Sequence, residues 1–198
     1  MGEIGSYLLS VFIGIGLASA TGFRVFLPLF FVSLASYFNW IPMQEDWIWL
    51  ASLPALIVLG VAMLFEILAY YIPFVDNIMD SIAIPLSAIA GTVLFSSQFA
   101  ESNEILKWGL GIIAGGGTAA TISTALSGLR VASSTSTGGL GNSVVSTVEN
   151  TGATLMSVLA VFLPILATII TVVILYYFFR FGRKIWNKNS SKPSNSES

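Results

Sequence analysis

The sequence predicts an all-α polytopic membrane protein. Three observations carry that reading. First, 55% of the 198 residues are hydrophobic and only 9% are charged, with a mean hydropathy of +0.86. A soluble domain carries about 25% charged residues, so the apolar surface here exceeds what one soluble core of this length can hide. Second, the charges punctuate the chain at membrane-sized intervals. Third, Thr21-Gly22-Phe23-Arg24-Val25 recurs as Ser127-Gly128-Leu129-Arg130-Val131, each at the end of a long uncharged stretch.

The spans follow in order. Gly5 to Ala20 is span A. Only Glu3 precedes it, so it lacks the positive leader of a signal peptide and is expected to be a retained helix. Segment B, Val25 to Phe38, is apolar but short and contains Pro28. A helical crossing needs ~20 residues, so B is either a tilted short span or a re-entrant half-helix. Asn39 to Asp46 is a polar loop. Span C runs from Trp47 to Ile72, with Trp40, Trp47 and Trp49 as an interfacial belt at its start. Pro73 to Ser81 is a connector, Ile82 to Phe99 is span D, and Ala100 to Glu104 is a loop. Span E covers Ile105 to Leu126, where Gly115-Gly116-Gly117 permits close backbone approach. Gly128 to Asn150 is rich in Ser, Thr and Gly, and Thr151 to Phe179 is span F. The basic, then Ser/Asn-rich tail of 180–198 is expected to be disordered at its end.

The tail residues Arg180, Arg183, Lys184, Lys188 and Lys192 place the C-terminus in the cytoplasm by the positive-inside rule. One membrane domain, 1–179, is expected. Repeat unit one covers about 5–80, span D 82–99, and repeat unit two about 105–179. If the segments after Arg24 and Arg130 are both re-entrant or broken helices, the two units have inverted topology, with their motifs on opposite faces. If B crosses fully, the units are parallel. Inversion is the preferred reading, because interrupted elements at matching positions of two halves mark transporter sites.

Arg24 and Arg130 are two of only three basic residues before the tail. An arginine in or near hydrocarbon is costly, so it faces a partner, a polar cavity or the headgroups. Gly22 and Gly128 read equally well as C-cap glycines. Glu66 lies inside an apolar run and shares a face with Tyr70. It is either an interfacial residue or a functional carboxylate. Asp76 and Asp80, four apart, fall on one side of a helix if Asp76 opens it, with Asn77 between them. Glu149 completes a capping box, Ser146-Thr147-Val148-Glu149, ahead of span F. Asn142 and the hydroxyls of Ser133, Ser134, Thr135 and Thr137 form a polar wall or a plain loop. The candidate binding residues are therefore Arg24, Glu66, Asp76, Asn77, Asp80, Arg130, Asn142 and Glu149.

With no Cys and no His, disulfides, thiolate chemistry, Cys/His zinc sites and a histidine base are excluded. No catalytic residue, metal site or cofactor is expected, and nothing outside the tail suits nucleic acid.

Several elements together resemble a known family. They are Gly-Leu-x-Ser-x-x-Gly-Phe-Arg at Gly16 to Arg24, Glu66 with Ile72-Pro73-x-x-Asp76-Asn77-x-x-Asp80, and the Ser-Thr-Gly-Gly segment at Ser136 to Gly139 with Asn142 and Glu149. The family is one of bacterial membrane proteins grouped as domain of unknown function 4126. The resemblance covers nearly the whole chain apart from the tail. Ser143 departs from it, standing where proline is expected. It implies a bacterial inner-membrane protein and supplies no activity.

The residues themselves suggest transport of a phosphate- or carboxylate-bearing anion, soluble or lipid-linked, coupled to protons or sodium. A channel or cation exchanger built on the acidic cluster is the alternative. A non-transporting scaffold or assembly factor is a further one. The expected partners are membrane lipids, a small anion or a lipid headgroup. Small-residue faces on A and E also permit contact with a second copy.

Overall fold

A computed structural model describes residues 2–41, 43–72, 75–99 and 103–190. The chain is all-helical: no strand occurs among the described residues, and five helical segments are long and apolar enough to cross a membrane. A sixth is available if a bent pair counts as one span.

Span A becomes α1, Gly2–Phe23. The chain then breaks at Arg24 and Val25 and continues as α2, Phe26–Tyr37. Its 12 residues reach about 18 Å, too little for the ~30 Å hydrocarbon layer. Span C is divided. A 3-10 turn, Glu45–Ala51, meets α3, Leu53–Ala69, at 63°. Ser52 makes the break: its extended backbone ends the turn, and its hydroxyl accepts from Ala55 N to start α3.

α4, Val75–Ser96, absorbs most of the expected connector, and Asp76 sits in its first turn. Span E is longer than expected. α5 (Glu104–Leu110), a π-helical turn (Gly111–Gly116) and α6 (Gly117–Thr137) form one 34-residue rod. The helix therefore runs unbroken past Arg130, where a broken or re-entrant element was expected. Gly128 is mid-helix, and the left-handed residue that ends α6 is Gly138, at φ 63°. Threonine and serine hydroxyls here bond back to their own helix, as Thr135 and Thr137 do to the carbonyls of Val131 and Ser133. That lets a Ser/Thr-rich stretch remain helical.

Span F is two helices rather than one. α7 is Asn142–Phe162 and α8 is Pro164–Ser190. Leu163, restricted by the proline after it, leaves the helical region at φ −138°, and Pro164 opens the next helix. Since α7 starts at Asn142, Ser146 to Glu149 lie in its interior and make no capping box. The basic residues from Arg180 prolong α8, and Lys192 lies outside the described residues.

α1 is the central helix and packs on α4, α6, α7 and α8. Leu17, Ala20, Val32, Leu94, Met156 and Ala160 form the core around it. α4 approaches the π-helical turn closely: a Cβ on Gly115 would stand 2.5 Å from Gly91 O, and one on Gly91 2.8 Å from Gly115 O. Such small-residue contacts are how membrane helices gain packing without a hydrophobic drive.

The bundle has two distinct ends. At one, Lys107 Nζ pairs with Asp46 at 3.2 Å, Trp47 lies 6.3 Å from Trp108, and Trp40 packs on Phe162. Both the 39–46 loop and the start of α5 therefore lie there. At the other end, α1, α3 and α6 finish while α2, α4 and α7 begin.

Candidate functional site: a buried arginine–carboxylate cluster

The site is assembled at this second end. Helical spacing supplies it. On α7, Asn142, Ser146 and Glu149 are buried on the same stripe as Ala153, Met156 and Ala160. The stripe is polar for its first two turns and mostly apolar beyond, with Ser157 the exception. On α4, Asp76 and Asp80 share a face. At the end of α3, Glu66 and the C-cap residue Tyr70 do the same.

Arg24 is 1% exposed. Its Nε donates to Asn150 Oδ1 at 2.7 Å, and its Nη2 donates to Ser146 O and lies 3.2 Å from Glu149 Oε2. Arg130 grips the same carboxylate with two nitrogens: Nε donates to Glu149 Oε1 at 3.0 Å, and Nη2 to Glu149 Oε2. Arg130 Nη1 stands 3.4 Å from Asp80 Oδ1. The Tyr70 ring lies against both guanidiniums, 3.8 Å from Arg24 Cζ and 4.0 Å from Arg130 Cζ. Cation–π contacts of this kind are worth ~2 kcal/mol when desolvated. One guanidinium nitrogen of Arg24, Nη1, is buried without a hydrogen-bond partner among the described residues.

The two motif arginines thus meet on one carboxylate. They do not lie on opposite faces of the membrane or at two ends of a polar path. The physical reason is that both need a counter-charge in low dielectric, and Glu149 with Asp80 supplies it. The motifs also differ locally, since the first ends a helix and the second lies within one. Their likeness in sequence is therefore not matched by a likeness in local structure.

Glu66 is elsewhere occupied. Its Oε1 accepts from Val25 N at 2.7 Å and its Oε2 from Phe26 N at 2.9 Å. These amides have no carbonyl partner once α1 has ended, so a carboxylate on α3 caps α2 from across the fold. Asp76 accepts from Asn142 Nδ2 at 3.1 Å, and that amide also reaches Ser134 Oγ at 2.9 Å. Asn77 belongs to α4, and its side chain lies outside the described residues. Of the hydroxyls singled out, Ser134 therefore joins the cluster. Among the described residues no three carboxylates converge as metal ligands would.

Tyr70, Ser146 and Asn150 belong to the site and were not among the sequence candidates. Tyr70 carried a signal, its i+4 relation to Glu66. Asn150 carried none beyond standing next to Glu149.

The fold and site define a class: a multi-pass helical membrane protein with a buried arginine–carboxylate cluster near one end of its bundle. More particularly, the family model described as Domain of unknown function (DUF4126) matches residues 11–184, and the chain belongs to that family. No curated protein and no solved structure is detectably similar to it.

Proposed function

We propose that the chain is a carrier, without catalytic activity, for a phosphate- or carboxylate-bearing anion across the bacterial inner membrane. Arg24 and Arg130 form the anion seat. One observation supports this most: two guanidiniums buried in a membrane bundle converge on a single carboxylate, Glu149, over one aromatic ring. A geometry that grips a carboxylate with parallel N–H bonds also suits a substrate carboxylate or phosphate. In this reading Glu149 fills the seat while substrate is absent. A substrate anion displaces it, and a proton or sodium ion compensates the freed carboxylate.

The orientation follows from the tail. Phe178 to Arg183 lie beside Ala120 to Ala125 of α6, toward the end where Arg130 lies. With the basic tail cytoplasmic, the cluster faces the cytoplasmic side. Because the 34-residue rod spans about 51 Å, its Arg130 end extends to the headgroup layer.

A scaffold reading is favoured by a different fact: the cluster is closed, with Glu149's side chain 3% exposed, and it staples four helices together. Flux decides. Protein reconstituted in liposomes should take up radiolabelled inorganic phosphate or a small dicarboxylate, and folded Arg24→Gln or Arg130→Gln protein should not. Arg24→Lys should restore only part of the rate, because lysine cannot bind bidentately. Full flux in folded Arg24→Gln refutes the seat. Absence of flux in the wild type for both anions favours the scaffold.

A further inference from the structure

α6 and α8 flank a surface groove of about 580 Å³. Ala120, Thr121, Thr124 and Ala125 wall it on α6, and Phe179 and Gly182 on α8. A second recess joins it through Phe179 and Arg183 and adds Tyr176 and Arg180.

Three features say what the groove accepts. Its walls are apolar despite the threonines: Thr121 Oγ1 donates to Gly117 O and Thr124 Oγ1 to Ala120 O, both at 2.7 Å. Those hydroxyls are satisfied by their own helix, which turns the methyl groups outward. Its mouth is cationic. Arg180 and Arg183 are exposed, Arg180 lies 3.3 Å from Tyr176 OH, and among the described residues no carboxylate lines either recess. Third, Gly182 has no explanation within the fold. A Cβ there would meet nothing within 4 Å among the described residues, and its backbone does not adopt positive φ. A mid-helix glycine is unfavourable relative to alanine, so its benefit is the open space it leaves.

We infer that this groove is a binding site for one anionic phospholipid, with an acyl chain along the α6–α8 wall and the phosphate between Arg180 and Arg183. The position suits it. These arginines close the Pro164–Lys184 span, where a headgroup phosphate lies. The inference is independent of the transport reading, since none of its residues belongs to the arginine–carboxylate cluster.

Native mass spectrometry of purified protein with phosphatidylglycerol or phosphatidylcholine of the same acyl chains tests it. One phosphatidylglycerol should be retained with roughly thirtyfold preference, as two interfacial arginines imply. Arg180→Gln with Arg183→Gln should abolish the preference. Gly182→Leu keeps both charges but fills the groove, and should weaken binding of either lipid. Inorganic phosphate at millimolar concentration should not displace the lipid, because it has nothing to place in the groove. Equal retention of the two lipids by the wild type overturns the inference, as does undiminished phosphatidylglycerol binding by folded Gly182→Leu. A dimer seated on this face, disrupted by Gly182→Leu, would assign the groove to a second copy and also overturn it. Unchanged helix content by circular dichroism in both variants excludes misfolding as the cause of any loss.

Discussion

Glu66→Gln separates a structural carboxylate from an ion-binding one. Glu66 is 4% exposed, and both its oxygens accept backbone amides, Val25 N at 2.7 Å and Phe26 N at 2.9 Å. Glutamine can accept one of these bonds through its carbonyl oxygen. Its amide group then faces the other N–H, donor against donor. Losing one bond to a charged acceptor costs about 1.5–3 kcal/mol. Removing the negative charge from the α2 N-terminus costs about 0.3–1 kcal/mol more. The sum, about 2–4 kcal/mol, corresponds to a fall in Tm of roughly 5–15 °C for a chain of this size. The assay is thermal unfolding of the detergent-solubilised protein, followed by tryptophan fluorescence. Glu66→Asp keeps the charge on a shorter arm and should fall between wild type and Glu66→Gln. An unchanged Tm for Glu66→Gln, with flux lost, would refute the capping argument and return Glu66 to an ion site.

Three further outcomes are expected. Glu149→Gln should destabilise more than Arg24→Gln. The first leaves two buried guanidiniums short of a counter-charge, at about 3–5 kcal/mol, while the second leaves Glu149 still held by Arg130; equal thermal shifts would deny that Glu149 is the shared partner. Single cysteines at Gln44 and Asn103 should react with an impermeant thiol reagent from the same side of the membrane, and a cysteine at Leu140 only from the other. The chain has no native cysteine to interfere, and opposite labelling of Gln44 and Asn103 would contradict the end-to-end arrangement fixed by Asp46 and Lys107. Gly115→Ala should cost about 1–3 kcal/mol by overpacking, because its Cβ would press on Gly91 O and Phe95 Cβ. Gly117→Ala, with nothing within 4 Å, should be neutral or stabilising in the same thermal assay.

The class was legible in the amino acids alone. Charge depletion and uncharged runs of membrane length predict helices in lipid, because a continuous apolar run satisfies its own backbone groups there only as a helix. The sequence also singled out candidate polar residues. Arg24 and Arg130 stood out because charge within apolar surroundings is costly, and the structure brings them into one cluster with two further candidates, Asp80 and Glu149. The positions of the breaks were less legible. Pro164 was visible, yet the apolar run from Thr151 to Phe179 hid the turn there, since hydropathy registers burial in lipid and is blind to direction. The Ser/Thr/Gly composition of 128–150 suggested a loop, but its hydroxyls bond to their own helices and most of the stretch stays helical. Only the tertiary structure decided pairings. Glu66 and Glu149 are both lone carboxylates in sequence, one in an apolar run and one in a Ser/Thr-rich segment, and neither pattern names a partner. One caps a helix and the other holds two arginines, because α3 passes the broken end of α1 while α7 passes between Arg24 and Arg130. Partners 41 and 125 residues apart are joined by packing that no local pattern encodes.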